Sequence, residues 1–204
     1  MEPETAKQAV VAVGDGRGFI VNTDERLIVT AAHCLPQLPP AAATAYLEET
    51  TYQDLVGRID DDQKRIWVEC LFVDPVADIA VLGGPDDQVL SDQWDAHQDF
   101  VEELPALEVG GLSSCHPTIP GLLLGLGGEW GGCEIRYSGV RGCLWIENAV
   151  EGIVGGMSGS PIMNTACEVV GVLGTSGGTS DMGRGNDGSS LRRRESHISL
   201  TPPK

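Results

Sequence analysis

The chain has 204 residues, enough for one large domain or two small ones with an independent core. Its 13 basic and 30 acidic residues leave a net charge of −17, a sign that repels phosphate backbones and anionic lipid and argues against nucleic-acid and membrane-surface partners. With 27 Gly, 12 Pro and few aromatics beside a hydrophobic share of 41%, the composition favours a folded, turn-rich, all-β body over long helices.

The first residues, MEPETAKQAVVAV, show no basic leader before an apolar stretch, and no later apolar run has the length to cross a bilayer. The expectation is a soluble, cytoplasmic protein. Short apolar runs between turn signals predict strands over 9–13, 18–21, 27–30, 66–72 and 79–82, and a second group over 121–126, 134–137, 143–146 and 168–173. Between the groups, 83–105 carries Asp86, Asp87, Asp92, Asp95, Asp99, Glu102 and Glu103 without one Lys or Arg, and reads as an exposed acidic connector. Residues 1–105 hold 21 acidic and 6 basic residues, net −15, against −2 for the remainder. This is a solvated face or, alternatively, an attractor of basic substrates or partners. From Ser176 on, Gly, Ser and Asp precede Arg192-Arg193-Arg194, which predicts a flexible tail or linker.

Gly14-Asp15-Gly16-Arg17-Gly18 follows a strand as a dinucleotide-binding turn would, but the next residues, Phe19-Ile20-Val21, continue as strand where that site needs a helix N-terminus. The nucleotide reading is set aside. Cys34, Cys70, Cys115, Cys133, Cys143 and Cys167 are scattered with no CxxC pair, as expected of small core residues in a reducing compartment. A zinc site using Cys115 and His116 has no supporting ligand spacing.

Three segments carry chemistry together: Thr30-Ala31-Ala32-His33-Cys34, Asp78-Ile79-Ala80-Val81-Leu82 and Gly156-Met157-Ser158-Gly159-Ser160-Pro161. A serine hydroxyl is a weak nucleophile, so acyl transfer needs an imidazole to take its proton and a carboxylate to orient that imidazole. His33, Asp78 and Ser158 supply the set. Glycines around Ser158 let the chain turn so that the N–H groups of Gly156 and Ser158 converge on a developing oxyanion, an approach that a side chain at 156 would obstruct.

In order and spacing these motifs resemble those of the trypsin-like (chymotrypsin-fold) serine peptidases. The likeness extends to Gly16-Arg17-Gly18-Phe19-Ile20-Val21 and Val169-Val170-Gly171-Val172-Leu173, and so covers about residues 8–178. It implies two antiparallel six-stranded β-barrels with the active site in the cleft between them: 1–104 for the first barrel and its acidic connector, 105–180 for the second, 181–204 for the tail. It also implies a serine endopeptidase working through an acyl-enzyme, with a protein or peptide substrate and without metal or cofactor. In that scheme His33 is the general base, Asp78 orients it and Ser158 attacks.

Two features of the secreted animal members are missing. No cysteine precedes Cys34 to form their bridge, and Met157 stands where an acid would pair with a newly cut N-terminus. What remains is similar to the bacterial intracellular branch, as a self-contained module or one joined to a fused or partner regulatory domain. The residue six before the nucleophile, Gly152, implies a pocket for a small or medium apolar side chain, although a one-residue gap would put Glu151 there. Gly174, Thr175 and Ser176 are expected to pair with the substrate backbone as an added strand. The alternative is a catalytically silent relative that binds a peptide or partner within a larger assembly.

Overall fold

The computed structural model describes residues 1–40, 47–111, 118–137, 143–174 and 195–198. Runs rich in Val and Ile between turn residues form a first group of strands: β1 (Val10–Val13), β2 (Gly16–Ile20), β3 (Ile28–Thr30), β4 (Thr51–Arg58), β5 (Asp61–Asp74) and β6 (Ile79–Gly83). Helix α1 (Pro3–Gln8) precedes them, and a single turn, α2 (Leu47–Thr50), leads into β4. The order β1-β2-β3-β6-β5-β4 closes on itself, with every pair antiparallel.

The second group comprises β7 (Thr118–Leu124), β8 (Trp130–Tyr137), β9 (Cys143–Glu147), β10 (Pro161–Asn164), β11 (Val169–Val172) and β12 (Glu195–Ile198), in the order β10-β11-β12-β9-β8-β7. This sheet curls round and closes through β12, which meets β11 at one register pair, Val172 with Ile198. Pro120 is tolerated within β7 because β10 pairs only with Gly121, Leu122 and Leu123, leaving no ladder donor missing on that side. The expected all-β arrangement of two antiparallel six-stranded sheets is what the chain forms.

The period-two alternation of strands explains why the first-barrel runs are apolar on both faces. Val11 and Val13 of β1, Ile20 of β2 and Ile28 of β3 point into the first barrel with Val56, Val68 and Leu82. Their neighbours Val10, Phe19 and Val29 point out and pack with Leu107, Leu124, Met163, Val169 and Val172. A third cluster, including Leu123, Ile135, Leu144 and Ile162, fills the second barrel. Each such side chain contributes ~1.5–3 kcal/mol on burial, so the layer between the barrels is held as firmly as either interior.

Two expectations change. The acidic connector contains a twelve-residue helix, α3 (Ser91–Glu102), which buries His97, Phe100 and Val101 and leaves Asp92, Asp95 and Asp99 exposed. Of the tail expected over 181–204, residues 195–198 form β12 within the second barrel; the rest of that segment lies outside the described residues. Among the described residues no helix is long and apolar enough to cross a membrane.

Candidate active site

His33 sits in a 3-10 turn (Ala32–Cys34) that follows β3 after one extended residue, Ala31. Ala31 and Ala32 are buried, and their small side chains let the turn lie against the barrel end. Asp78 enters from the turn between β5 and β6. There the Asp74 carboxylate accepts the Val76 and Ala77 N–H groups at 2.9 Å and sets the bend. Asp78 itself has φ +54°, a left-handed conformation that Asp tolerates better than most residues. Its carbonyl accepts the Ala32 N–H at 3.2 Å, and its Oδ1 accepts the His33 N–H at 3.0 Å. His33 Nδ1 lies 3.0 Å from Oδ1 and 2.8 Å from Oδ2. Only the tautomer or cation with a proton on Nδ1 satisfies both carboxylate oxygens, and in the neutral ring this leaves the Nε2 lone pair free.

Ser158 lies in the turn between β9 and β10. The turn is closed by Met157 N–H to Val154 O and Ser160 N–H to Met157 O. Gly159 N–H donates to Leu173 O at 2.7 Å, and Leu173 N–H to Ser160 O at 2.9 Å. The first barrel holds this turn from the other side: Arg17 N–H donates to Ser158 O at 2.7 Å, and Arg17 O accepts the Thr30 hydroxyl at 2.6 Å. Gly159, at φ +82°, packs so closely on β2 that a Cβ there would overlap the Arg17 carbonyl oxygen. Gly156 is at φ +87°, but its Cβ would meet nothing nearer than Leu126 Cδ2 at 3.5 Å. Crowding within the protein therefore does not demand glycine at 156. Gly156 is required by its backbone conformation, and the glycine required by space is Gly159.

Within this turn, the N–H groups of Gly156 and Ser158 have no acceptor among the described residues. Both residues line a cleft of about 520 Å³ that also holds His33, Gly14, Gly16 and Cys34. Such amides facing a ligand cleft are suited to a developing negative charge. The Ser158 hydroxyl makes no hydrogen bond to His33 among the described residues. Cys34 Sγ is 4.0 Å from Nε2. Burial, with a further push from the Asp78 carboxylate, raises the Cys34 pKa, so this sulfur is a thiol and a poor competing nucleophile. A Cβ at Gly16 would stand 2.5 Å from that sulfur, so β2 passes where a bridging partner for Cys34 would have to start.

The substrate-binding expectations fare unevenly. Gly152 is exposed with open space where a Cβ would be, and Gly174 follows β11; neither lines the cleft around Ser158. Thr175 and Ser176 lie outside the described residues, as do Cys115 and His116. The Glu151 carboxylate turns against Gly125 at the end of β7. Among the described residues no group of three or more His, Cys, Asp or Glu side chains could hold a metal ion, and Cys34, Cys70, Cys133 and Cys167 are free. Sequence reasoning missed Arg17, Thr30 and Asp74 as the residues that hold the site. Of these, only Asp74 before Pro75 carries a local turn signal.

Two antiparallel barrels with His33 and Asp78 from the first and Ser158 from the second constitute a chymotrypsin-like layout, and the chain has the trypsin-like serine protease fold. Among solved structures it is similar to the inactive form of Rv3671c protease (TM-score 0.53, 17% identity, covering 96% of this chain and 85% of that one). It is likewise similar to a human pathogenic astrovirus serine protease (TM-score 0.53, 16% identity, covering 99% and 93%). No protein-family model and no curated protein matches the chain.

Proposed function

We propose that the chain is a serine endopeptidase acting on protein or peptide substrates through an acyl-enzyme. The observation that carries this reading is His33 Nδ1 held by both oxygens of Asp78, in the same cleft as Ser158 and two acceptor-free amides. Ser158 Oγ attacks the scissile carbonyl carbon while its proton passes to His33 Nε2. The carbonyl oxygen becomes an oxyanion and accepts the N–H groups of Gly156 and Ser158. Collapse of that intermediate breaks the C–N bond, and the imidazolium returns its proton to the leaving amine. Water, deprotonated by the same imidazole, then attacks the acyl-enzyme and releases the acid with Ser158 regenerated. Asp78 keeps the ring in its tautomer and stabilises the imidazolium without taking the proton.

The backbone after β11, from Gly174 through Thr175 and Ser176, receives the substrate strand, and Gly152, which carries no charge, favours a small or medium apolar side chain before the scissile bond. The free cysteines fit a reducing, cytoplasmic setting, and a regulatory domain or partner acts on the module. One observation favours a silent binding module instead: Ser158 makes no hydrogen bond to His33 among the described residues. Hydrogen bonds of this kind are often long or unmade before substrate arrives and tighten in the complex. A fluorophosphonate probe separates the two readings, because only an activated serine is phosphonylated. The peptidase reading expects labelling of the wild type and none of Ser158→Ala; an unlabelled wild type overturns the peptidase reading.

A further inference from the structure

A second cleft, of about 410 Å³, shares no lining residue with the one around His33 and Ser158. Three of the seven Lys and Arg residues among those described converge on it, in a chain of net charge −17. Arg17 is 5% exposed. Its Nη1 donates to the carbonyl oxygens of Leu124 at 3.0 Å and Gly125 at 3.1 Å, and its Nη2 to that of Leu126 at 3.5 Å. These bonds use at most three of the five guanidinium donors, and among the described residues no carboxylate reaches the group. A buried cation is normally compensated by an anion. Among the described residues no acidic side chain pairs with Arg17.

The remaining lining groups narrow the ligand. Lys7 reaches the β7–β8 turn, where the Cβ position of Gly128 lies 3.0 Å from its Nζ, and has no acidic partner among the described residues. Arg58 is already paired with Glu103 at 2.9 Å, so Arg17 and Lys7 are the lining cations without an acidic partner among the described residues. Leu104, Leu124 and Leu126 supply apolar wall. Asp60, also lining the cleft, accepts hydrogen bonds and repels a dianion.

We propose that this cleft binds the C-terminal carboxylate of a peptide ending in an apolar residue. The carboxylate pairs with Arg17 and Lys7, the last side chain lies on the leucine wall, and a peptide N–H donates to Asp60. A fatty acid would meet the same cations and wall but has no donor for Asp60. A phosphate would set two charges against it and leave the wall unused. Arg17 also joins this cleft to the other one, since its own N–H holds the Ser158 carbonyl.

Calorimetric titration of the full chain with acetyl-Ala-Ala-Leu, as free acid and as amide, tests this without reference to hydrolysis. In the Ser158→Ala background, which prevents turnover, the free acid should bind at one site and the amide about tenfold or more weaker, as expected on losing a charge pair. Lys7→Glu should weaken the free acid to the same degree, whereas the exposed control Lys64→Glu and the cleft variant His33→Ala should not. An unchanged melting temperature for Lys7→Glu excludes loss by misfolding. Equal binding of acid and amide, an unaffected Lys7→Glu, or loss with His33→Ala would overturn the proposal. So would octanoate or inorganic phosphate binding as tightly as the peptide acid.

Discussion

Replacing Gly159 by alanine tests whether the nucleophile turn is held by contact between the barrels. The new methyl would overlap the Arg17 carbonyl oxygen and crowd Thr30 Oγ1 at 2.7 Å, and the backbone is at φ +82°. An alanine in a left-handed conformation costs ~1–2 kcal/mol. Relieving the overlap requires β2 and the turn to separate, which breaks Arg17 N–H to Ser158 O at 2.7 Å, and the methyl displaces the Thr30 hydroxyl from Arg17 O, its partner at 2.6 Å. At ~0.5–1.5 kcal/mol per hydrogen bond, the total comes to about 2–5 kcal/mol. Gly156→Ala is the matched comparison. Its φ is +87°, but its nearest contact is an ordinary 3.5 Å, so it should cost only the conformational ~1–2 kcal/mol. Urea unfolding of both variants measures the difference, with fluorophosphonate labelling in parallel. Both should label slowly, Gly156→Ala because its N–H turns away and Gly159→Ala because Ser158 shifts. If Gly159→Ala were no less stable than Gly156→Ala, the contact between β2 and the turn would not be holding the site.

Ser158→Ala and His33→Ala should each abolish peptide hydrolysis, and the double variant should be no worse than either, because residues that transfer one proton act as a unit; clearly additive losses in kcat/KM would contradict the shared role. Burial pushes His97 down to about 4 from an unfolded value of about 6.5, and neither ring nitrogen has a hydrogen-bond partner among the described residues. Below pH 6.5 the unfolded chain therefore takes up a proton that the folded chain refuses. This contribution to stability is complete above pH 6.5, falls as pH drops towards 4, and amounts to about 3 kcal/mol. Urea unfolding at pH 7 and 4.5 should show the loss in the wild type, and a clearly smaller one in His97→Leu; equal losses would remove His97 as the cause. Gly16→Cys should cross-link to Cys34 on oxidation, closing a loop that stabilises by up to ~3 kcal/mol, less the strain of a Cβ at 2.8 Å from the Ser158 carbonyl oxygen. Failure to cross-link under a mild oxidant would refute that placement. Activity should survive both EDTA and reductant, and loss in either that metal or oxidant restored would contradict a site built on His33, Asp78 and Ser158 alone.

The strands were legible because runs such as 9–13 and 27–30 are short, largely apolar and carry β-branched residues, and the three chemical segments were legible because their residue types have local meaning. Helix α3 was not. In Ser91–Glu102 the buried positions are His97, Phe100 and Val101, so its apolar face is one histidine and two hydrophobic residues on an otherwise polar segment. β12 was hidden for a related reason, since Glu195-Ser196-His197-Ile198 becomes a strand through pairing with β9 over all four residues. The roles of Gly159 and Arg17 depend on which strand passes within hydrogen-bond distance of the turn. That partner is more than a hundred residues away, and no local pattern encodes it.

The arrangement of β1 to β3 has a consequence for how the site is maintained. Phe19 packs between the barrels while Ile20, the next residue, packs inside the first, and Val29 and Ile28 divide in the same way. A strand cannot slip by one residue without moving both sets, because the side-chain period is two. The register that fills the first barrel is thus the register that lays β2 against the second, and it fixes Arg17 N–H on Ser158 O. Ser158 is carried by one barrel and His33 by the other, so their separation is set by this shared register rather than by any bond between them. Trimming the intervening layer, as in Phe19→Leu or Met163→Ala, should consequently lower kcat more than it raises KM. Truncations inside the first barrel, such as Val68→Ala, should lower stability with kcat preserved in the folded fraction. Equal kcat effects from the two classes would show that the separation is held by something other than the packed layer.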